Sequence, residues 1–264
     1  MNSPSGSKSA HVTRWQNGSL TAVEDCVADE VPVALVYNGI SHVVMMATPG
    51  DLADFALGFS LTEVVVNHAD EIYGIDPSST AKGYEIAIQI SGERFTELKA
   101  RRRNLTGRTG CGLCGAESLE QALRPIAPVQ QSRHFEHAAI QTALVSLTEW
   151  QSQQASGALH AAAWVSESGG IGLLREDIGR HNALDKVIGA LASQKSLRSG
   201  GFLIVSSRAS YEMVAKAASA GFEMLVALSA PTSLAIQLAH ESGITLVGFA
   251  REGRHAVYAH SQRL

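Results

Sequence analysis

Three apolar runs, Phe202-Leu-Ile-Val205, Glu223-Met-Leu-Val-Ala-Leu228 and Ile244-Thr-Leu-Val-Gly-Phe249, decide the fold of the chain's second half. Each is short, nearly continuous and bounded by small or polar residues, the pattern of strands buried on both faces. Between them lie two helical stretches, Tyr211 to Ala220 and Thr232 to His240, closed by Gly221 and Gly243. Glycine takes the left-handed conformation that ends a helix without Cβ strain. Strands and helices alternating in this way predict parallel βαβ units with both faces of the sheet covered. Further out, Ala161 to Val165 and Ile171 to Leu174 read as strands. Arg180 to Leu191 reads as a helix with Leu184, Val187, Ile188 and Leu191 on one face, and Arg254 to Tyr258 as a last edge strand.

In a parallel sheet every strand's C-terminal end points the same way, and ligands bind in the crevice there. Three loops are therefore expected on one edge: Ser206-Ser207-Arg208, Ser229-Ala230-Pro231-Thr232 and Phe249-Ala250-Arg251-Glu252-Gly253-Arg254. They bring hydroxyls, arginines and helix N-termini with unpaired N–H groups, the parts that a phosphate or pyrophosphate requires. An anionic, nucleotide-like ligand is the expectation.

The first half reads differently. Residues 1 to about 20 are polar and rich in small residues, and a disordered lead-in is expected there. Val31 to Tyr37 and Ile40 to Met46 read as strands joined at Asn38-Gly39, a strong hairpin signal. Thr48-Pro49-Gly50-Asp51 has the composition of a capped helix start, and Leu52, Phe55, Ala56 and Phe59 follow at helical spacing as the buried face. A second hairpin-like pattern runs from Tyr84 through Ile90 to Phe95 and Leu98. The stretch from Pro125 to Ser132 reads as a connector and Ala138 to Gln151 as a helix. The expected fold class is α/β, in three parts: the lead-in at 1–20, a mixed α+β domain at 21–135, and an α/β domain at 136–264.

Bulk properties narrow the function. The chain has 264 residues, 45% hydrophobic and 17% charged, so a sizeable core is within reach. A net charge of −4 gives no global attraction to nucleic acid or a membrane surface. No apolar stretch approaches the roughly 20 residues that a bilayer needs, and the first seven residues lack a signal-peptide core. Three cysteines make no disulfide framework. A reducing cytoplasm, with neither nucleic acid nor membrane as partner, is the expectation.

Two of those cysteines lie in Gly107-Arg-Thr-Gly-Cys111-Gly-Leu-Cys114-Gly-Ala116. Lys99, Arg101, Arg102, Arg103 and Arg108 would favour a thiolate if they fold near it. Helix formers from Glu117 to Leu123 would put Cys114 near a helix N-terminus, where the dipole also favours the anion. Four roles compete: structural zinc, dithiol redox, persulfide carriage and an inert loop. Zinc asks for four ligands, and the sequence holds no second Cys-x-x-Cys. A thioredoxin-type motif follows the first strand of a small domain, unlike this one. Sulfur chemistry on a glycine-rich loop is the simplest reading. Cys26 reads as a small buried hydrophobe.

A second constellation, Glu176-Asp-Ile-Gly-Arg180-His181-Asn-Ala-Leu-Asp185-Lys186, crowds polar residues at a helix start. It is either a solvated, capped entry or a site where Asp185 orients His181 while Arg180 and His181 meet an anion. His160-Ala161-Ala162 has alanine where zinc deaminases carry the glutamate of His-x-Glu, and no Pro-Cys-x-x-Cys follows, which excludes deaminase chemistry.

Taken together, these segments closely resemble the formate dehydrogenase accessory sulfurtransferase (sulfur-carrier) family. The resemblance is carried by Val31 to Met46, Asp54 to Ser60, Arg108 to Gly115, Leu159 to Ala163, Glu176 to Lys186, Ser206 to Met213, Ser229 to Ser233 and Val247 to Arg254. It implies a cytoplasmic sulfurtransferase, a persulfide carrier that takes sulfur from a cysteine desulfurase. The recipient it implies is the molybdenum cofactor, as bis(molybdopterin guanine dinucleotide), before insertion into apo-formate dehydrogenase. It implies a homodimer, and a C-terminal domain resembling the cytidine-deaminase fold without its zinc, so no bound metal is expected. The persulfide cysteine falls on Cys111 with Cys114 as partner, which either attacks the Cys111 sulfur or shapes the loop. The cofactor-binding segment falls on Phe249, Ala250, Arg251, Glu252, Gly253 and Arg254. Ser207, Arg208, Ser229 and His181 complete the expected cofactor contacts.

Overall fold

The computed structural model describes residues 6–103, 125–130, 132–152, 157–196 and 200–264. The lead-in differs from expectation. Ser7–Gln16 (β1) and Ser19–Ala28 (β2) pair along their whole length as an antiparallel ribbon. Its turn is Asn17-Gly18, both with positive φ, the hairpin signal that the polar composition of this stretch obscured. Cys26 is half-buried on β2 rather than in a core.

Val31–Tyr37 (β3) and Ile40–Ala47 (β4) form the expected hairpin, turning at Asn38 and Gly39 with φ of 46° and 81°. Ile72–Thr80 (β5) and Gly83–Ile90 (β6) form another, and the four strands make a sheet in the order β4-β3-β6-β5. Phe95 and Leu98 are not strand residues. They belong to helix α2, Gly92–Arg103, where Glu93, Glu97, Lys99 and Ala100 are good helix formers. Helix α1, Leu52–Thr62, covers the sheet, and its N-terminus also departs from expectation. Asp51, left-handed at φ 53° and making no side-chain cap, precedes it, whereas Thr48 points elsewhere.

The second half holds helix α3 (His137–Ser152), β7 (His160–Val165), β8 (Ile171–Asp177), α4 (Arg180–Ser193) and β9 (Phe202–Val205). It continues with α5 (Tyr211–Ser219), β10 (Met224–Ala227), α6 (Ser233–Ser242), β11 (Thr245–Arg251) and β12 (Arg254–Ala259). The six-stranded sheet has the order β12-β11-β10-β9-β7-β8. β9, β10 and β11 are mutually parallel, as the apolar runs predict. The sheet is nonetheless mixed. β7 is antiparallel to both β8 and β9, and β12 is antiparallel to β11. The short connection around Ser166–Gly170 permits only a hairpin between β7 and β8. Strand residues alternate between two cores. Leu203, Val205, Leu225 and Leu246 pack with α4, α5 and α6, while Phe202, Ile204, Val226 and Val247 pack with α3. Helices therefore cover both faces.

The two halves meet where α1 crosses α4. Gly58 and Gly189 face each other there, so closely that a Cβ on Gly189 would lie 1.9 Å from the Asp54 carbonyl oxygen. This second contact surface explains why α1 buries Leu57, Gly58, Ser60 and Thr62 as well as the predicted stripe. Two buried charge clusters flank the crossing. In one, Asp177 and Lys186 pair at 2.7 Å with both side chains fully buried. The Thr48 amide donates to Asp177, the Thr48 hydroxyl accepts from the Ile178 amide, and Lys186 donates to the Thr48 carbonyl. In the other, Asp185 accepts from Lys216 at 2.8 Å and from the Thr62 hydroxyl at 2.7 Å, and Lys216 also reaches Glu63. A buried charge is tolerable only when paired and hydrogen-bonded. Each cluster meets that condition with partners from both halves.

Candidate functional site

The C-terminal ends of β8, β9, β10 and β11 open on one edge of the sheet, where the N-termini of α4, α5 and α6 also lie. The post-strand loops converge as expected. The Ser229 amide donates to the Ser207 carbonyl at 3.3 Å, the Thr232 amide to Ala209, and the Phe249 amide to the Ser229 carbonyl at 3.1 Å. Ser207 is buried with its hydroxyl turned onto the Arg208 carbonyl, so its side chain serves the loop, whereas Arg208 is exposed. Ser229 is half-buried between them.

Phe249 to Arg254 is not a free loop. It is the end of β11, a two-residue turn at Glu252-Gly253, and the start of β12, with Arg251 opposite Arg254. A bulge between Gly248 and Arg251 makes this possible: Phe249 adopts φ 49° and presents its ring to solvent, 52% exposed. A left-handed conformation is costly for a bulky residue, and here it turns an aromatic face out over the strand ends. Ala250 is buried, and the Arg251 guanidinium lies on the carbonyl oxygens of Leu228 and Ala250. Arg254 is exposed at the turn.

His181 stands at the start of α4 and is held by Glu212 rather than Asp185. Its Nε2 lies 2.9 Å from Glu212 Oε2, and Arg180 approaches the same oxygen at 4.0 Å. Asp185 is committed to Lys216 and Thr62, so the i, i+4 pairing read from the sequence does not form. Asp177, Asn182 and Lys186 of the same motif are likewise structural, since the Asn182 amide bonds Asp177 and the Met46 carbonyl. Glu212 was missed. Its signal is an acid in the first turn of α5, near the helix N-terminus where a carboxylate is favoured. Burial alone would raise its carboxyl. The hydrogen bond and charge of His181, with Arg180 and Lys216, outweigh burial and hold it below the usual carboxylate range.

His160, opposite Asp177 at the start of β7, shares this corner. Burial first, then the charges of Arg180 and His181, push its imidazole below the ordinary histidine value against the pull of Asp177. His160, Arg180 and His181 are thus gathered around the Glu212 carboxylate at the strand ends. Arg180→Ala should move the His160 titration midpoint upward in imidazole NMR, because one of the depressing charges is gone. An unmoved midpoint would place that charge away from His160.

His181 and the Arg251–Arg254 turn lie toward opposite faces of the sheet, with Ser207, Ser229 and Phe249 between them. Cys111, Cys114, Arg108 and the helix expected after them lie outside the described residues. Among the described residues, no three His, Cys, Asp or Glu side chains converge to hold a metal ion, and no helix is long and apolar enough to cross a membrane.

A profile of the FdhD/NarQ family matches residues 28–264. The chain belongs to the FdhD/NarQ family. Relatives agree over nearly the full length. The sulfur carrier protein FdhD of Cupriavidus necator is 56% identical over 254 residues, covering 96% of this chain and 88% of that protein. The sulfur carrier protein FdhD of Xanthomonas euvesicatoria pv. vesicatoria is 50% identical over 260 residues, covering 98% and 92%. In fold, the chain superposes on the crystal structure of a formate dehydrogenase accessory protein from Desulfotalea psychrophila with a TM-score of 0.76. That comparison has 23% identity and covers 98% of this chain and 99% of the other. The family expected from the motifs is therefore borne out, and the mixed α/β architecture is that of an FdhD/NarQ protein.

Proposed function

We propose that this FdhD/NarQ protein is a sulfur carrier with sulfurtransferase activity in formate dehydrogenase maturation. The observation that supports this most directly is kinship over nearly the whole chain with proteins named as sulfur carriers, in a match that spans Cys111-Gly-Leu-Cys114. In the first step the Cys111 thiolate attacks the outer sulfur of a cysteine desulfurase persulfide. A new S–S bond forms on Cys111, the old S–S bond breaks, and the desulfurase thiolate leaves. The outer sulfur then passes to the substrate, a molybdenum cofactor carrying two guanine dinucleotides, which is delivered to the apo-dehydrogenase. Where Cys114 attacks the Cys111 sulfur, a Cys111–Cys114 disulfide forms, the persulfide S–S bond breaks, and the outer sulfur leaves as hydrosulfide with the two electrons the dithiol gives up.

The strand-end crevice is the cofactor's proposed seat. The Arg180 guanidinium beside His181 and His160, and the exposed Arg208 and Arg254, suit pyrophosphate oxygens. The outward ring of Phe249 suits a base. The same reading takes the α/β half from residue 136 as a relative of the cytidine-deaminase fold without zinc, and the protein as a cytoplasmic homodimer. Cys114 assists by attacking the Cys111 sulfur or by shaping its loop.

Incubation with a cysteine desulfurase and free cysteine, followed by intact-mass spectrometry, tests the proposal. A reducible one-sulfur adduct is expected on the natural chain and none on Cys111→Ala. If Cys111→Ala still supports dehydrogenase maturation, the protein is a chaperone that moves no sulfur.

A further inference from the structure

The Arg251–Arg254 turn is tied to α3 by a chain of four groups whose hydrogen-bond direction is fixed at one end. The Gly253 backbone N–H, which can only donate, reaches Gln141 Oε1 at 2.7 Å. That settles the amide's orientation and leaves Gln141 Nε2, a donor, facing His255 Nδ1 at 3.0 Å. His255 Nδ1 must then accept, so its proton is on Nε2, which lies 2.8 Å from His137 Nδ1. His137 Nδ1 must accept in turn. The two imidazoles stack with centroids 4.9 Å apart and planes at 30°. The whole relay runs one way only while both rings are neutral.

A proton on either ring breaks it. Protonated His255 would set a second donor against the Gln141 amide, and protonated His137 would set one against His255 Nε2–H. From α3 the titratable group facing His255 is His137. From the hairpin its charged neighbours are Arg254, Glu252 and, across the turn, Arg251, which is occupied with carbonyl oxygens. We infer that Gln141, His255 and His137 form a proton-sensitive latch that positions the Glu252-Gly253 turn, closed at neutral pH and released on acidification. Burial and the His137 charge both depress the His255 titration. Because that folded value lies below the ordinary histidine value of about 6.5, the neutral, latched form persists down through it and is lost as pH falls through the lowered value of His255 itself. The latch rests on the reading above for its purpose, since the turn it holds is the proposed nucleotide seat. Gln141 and His255 are positioning residues, acting through the turn.

Two measurements separate the latch from its purpose. In NMR the Gly253 amide resonance should follow the titration of His255, and should stop doing so in Gln141→Leu and His255→Gln. A Gly253 amide that ignores this titration in the natural chain overturns the latch. In calorimetry, affinity for guanosine diphosphate should fall more between pH 7.5 and 5.0 in the natural chain than in Gln141→Leu, by up to about tenfold, the limit set by one coupled proton per pH unit below the midpoint. If the amide titrates while both proteins show the same pH dependence of affinity, the latch stands and the placement of the nucleotide at this turn is refuted.

Discussion

Gly189→Ala is expected to leave little folded protein. The added Cβ would lie 1.9 Å from the Asp54 carbonyl oxygen and 2.8 Å from the Gly58 amide nitrogen, both backbone atoms of a helix already wedged against a sheet. No rotamer change relieves such a clash, so α1 and α4 must separate. Overpacking of well-packed cores usually costs about 1–3 kcal/mol, and a backbone clash on a helix crossing belongs at the top of that range or above it. Gly58→Ala should behave alike, since its Cβ would lie 1.8 Å from the Asp185 carbonyl oxygen. Gly92→Ala, with open space around it, is the control. Urea denaturation reads the difference, and a Gly189→Ala midpoint equal to that of the control would refute the crossing.

Asp177→Asn is the second large effect. It strands the Lys186 ammonium in a site without solvent access, facing only carbonyl oxygens of Thr48 and Glu176. Removing one partner of a buried pair typically costs about 3–5 kcal/mol, whereas replacing both by apolar groups is often near neutral. The double variant Asp177→Asn/Lys186→Met should therefore be more stable than Asp177→Asn alone. If its loss equals the sum of the two single losses, the residues do not act as a pair.

The sheet of the second half was legible because its strands are apolar on both faces, and the runs 202–205, 223–228 and 244–249 could be little else. The edge on which the post-strand loops converge followed from their parallel direction. Four things stayed hidden, for related reasons. A window of sequence holds nothing that brings Gly58 to Gly189, so the extra buried face of α1 was invisible. Spacing offered Asp185 to His181, but Lys216 and Thr62, far away in sequence, had the stronger claim on a buried carboxylate. The acid that does meet His181 comes from α5, whose start looked like an ordinary helix entry. The bulge that turns Phe249 outward leaves no mark in a run that reads as plain strand. In the lead-in, the Asn17-Gly18 turn closes a hairpin that the polar composition of its strands conceals.

The seam between α1 and α4 also constrains the order in which the molecule can assemble. Thr48 meets Asp177 across 129 positions of chain and Lys186 across 138. As the polypeptide leaves the ribosome, the sheet built by residues 31–90 therefore waits, with one side of α1 open to water, until α4 has been made. Contacts of such long range are slow to close and leave sticky intermediates exposed. During its own synthesis the chain therefore passes through a stage at which an apolar flank is uncovered and a general chaperone has something to hold.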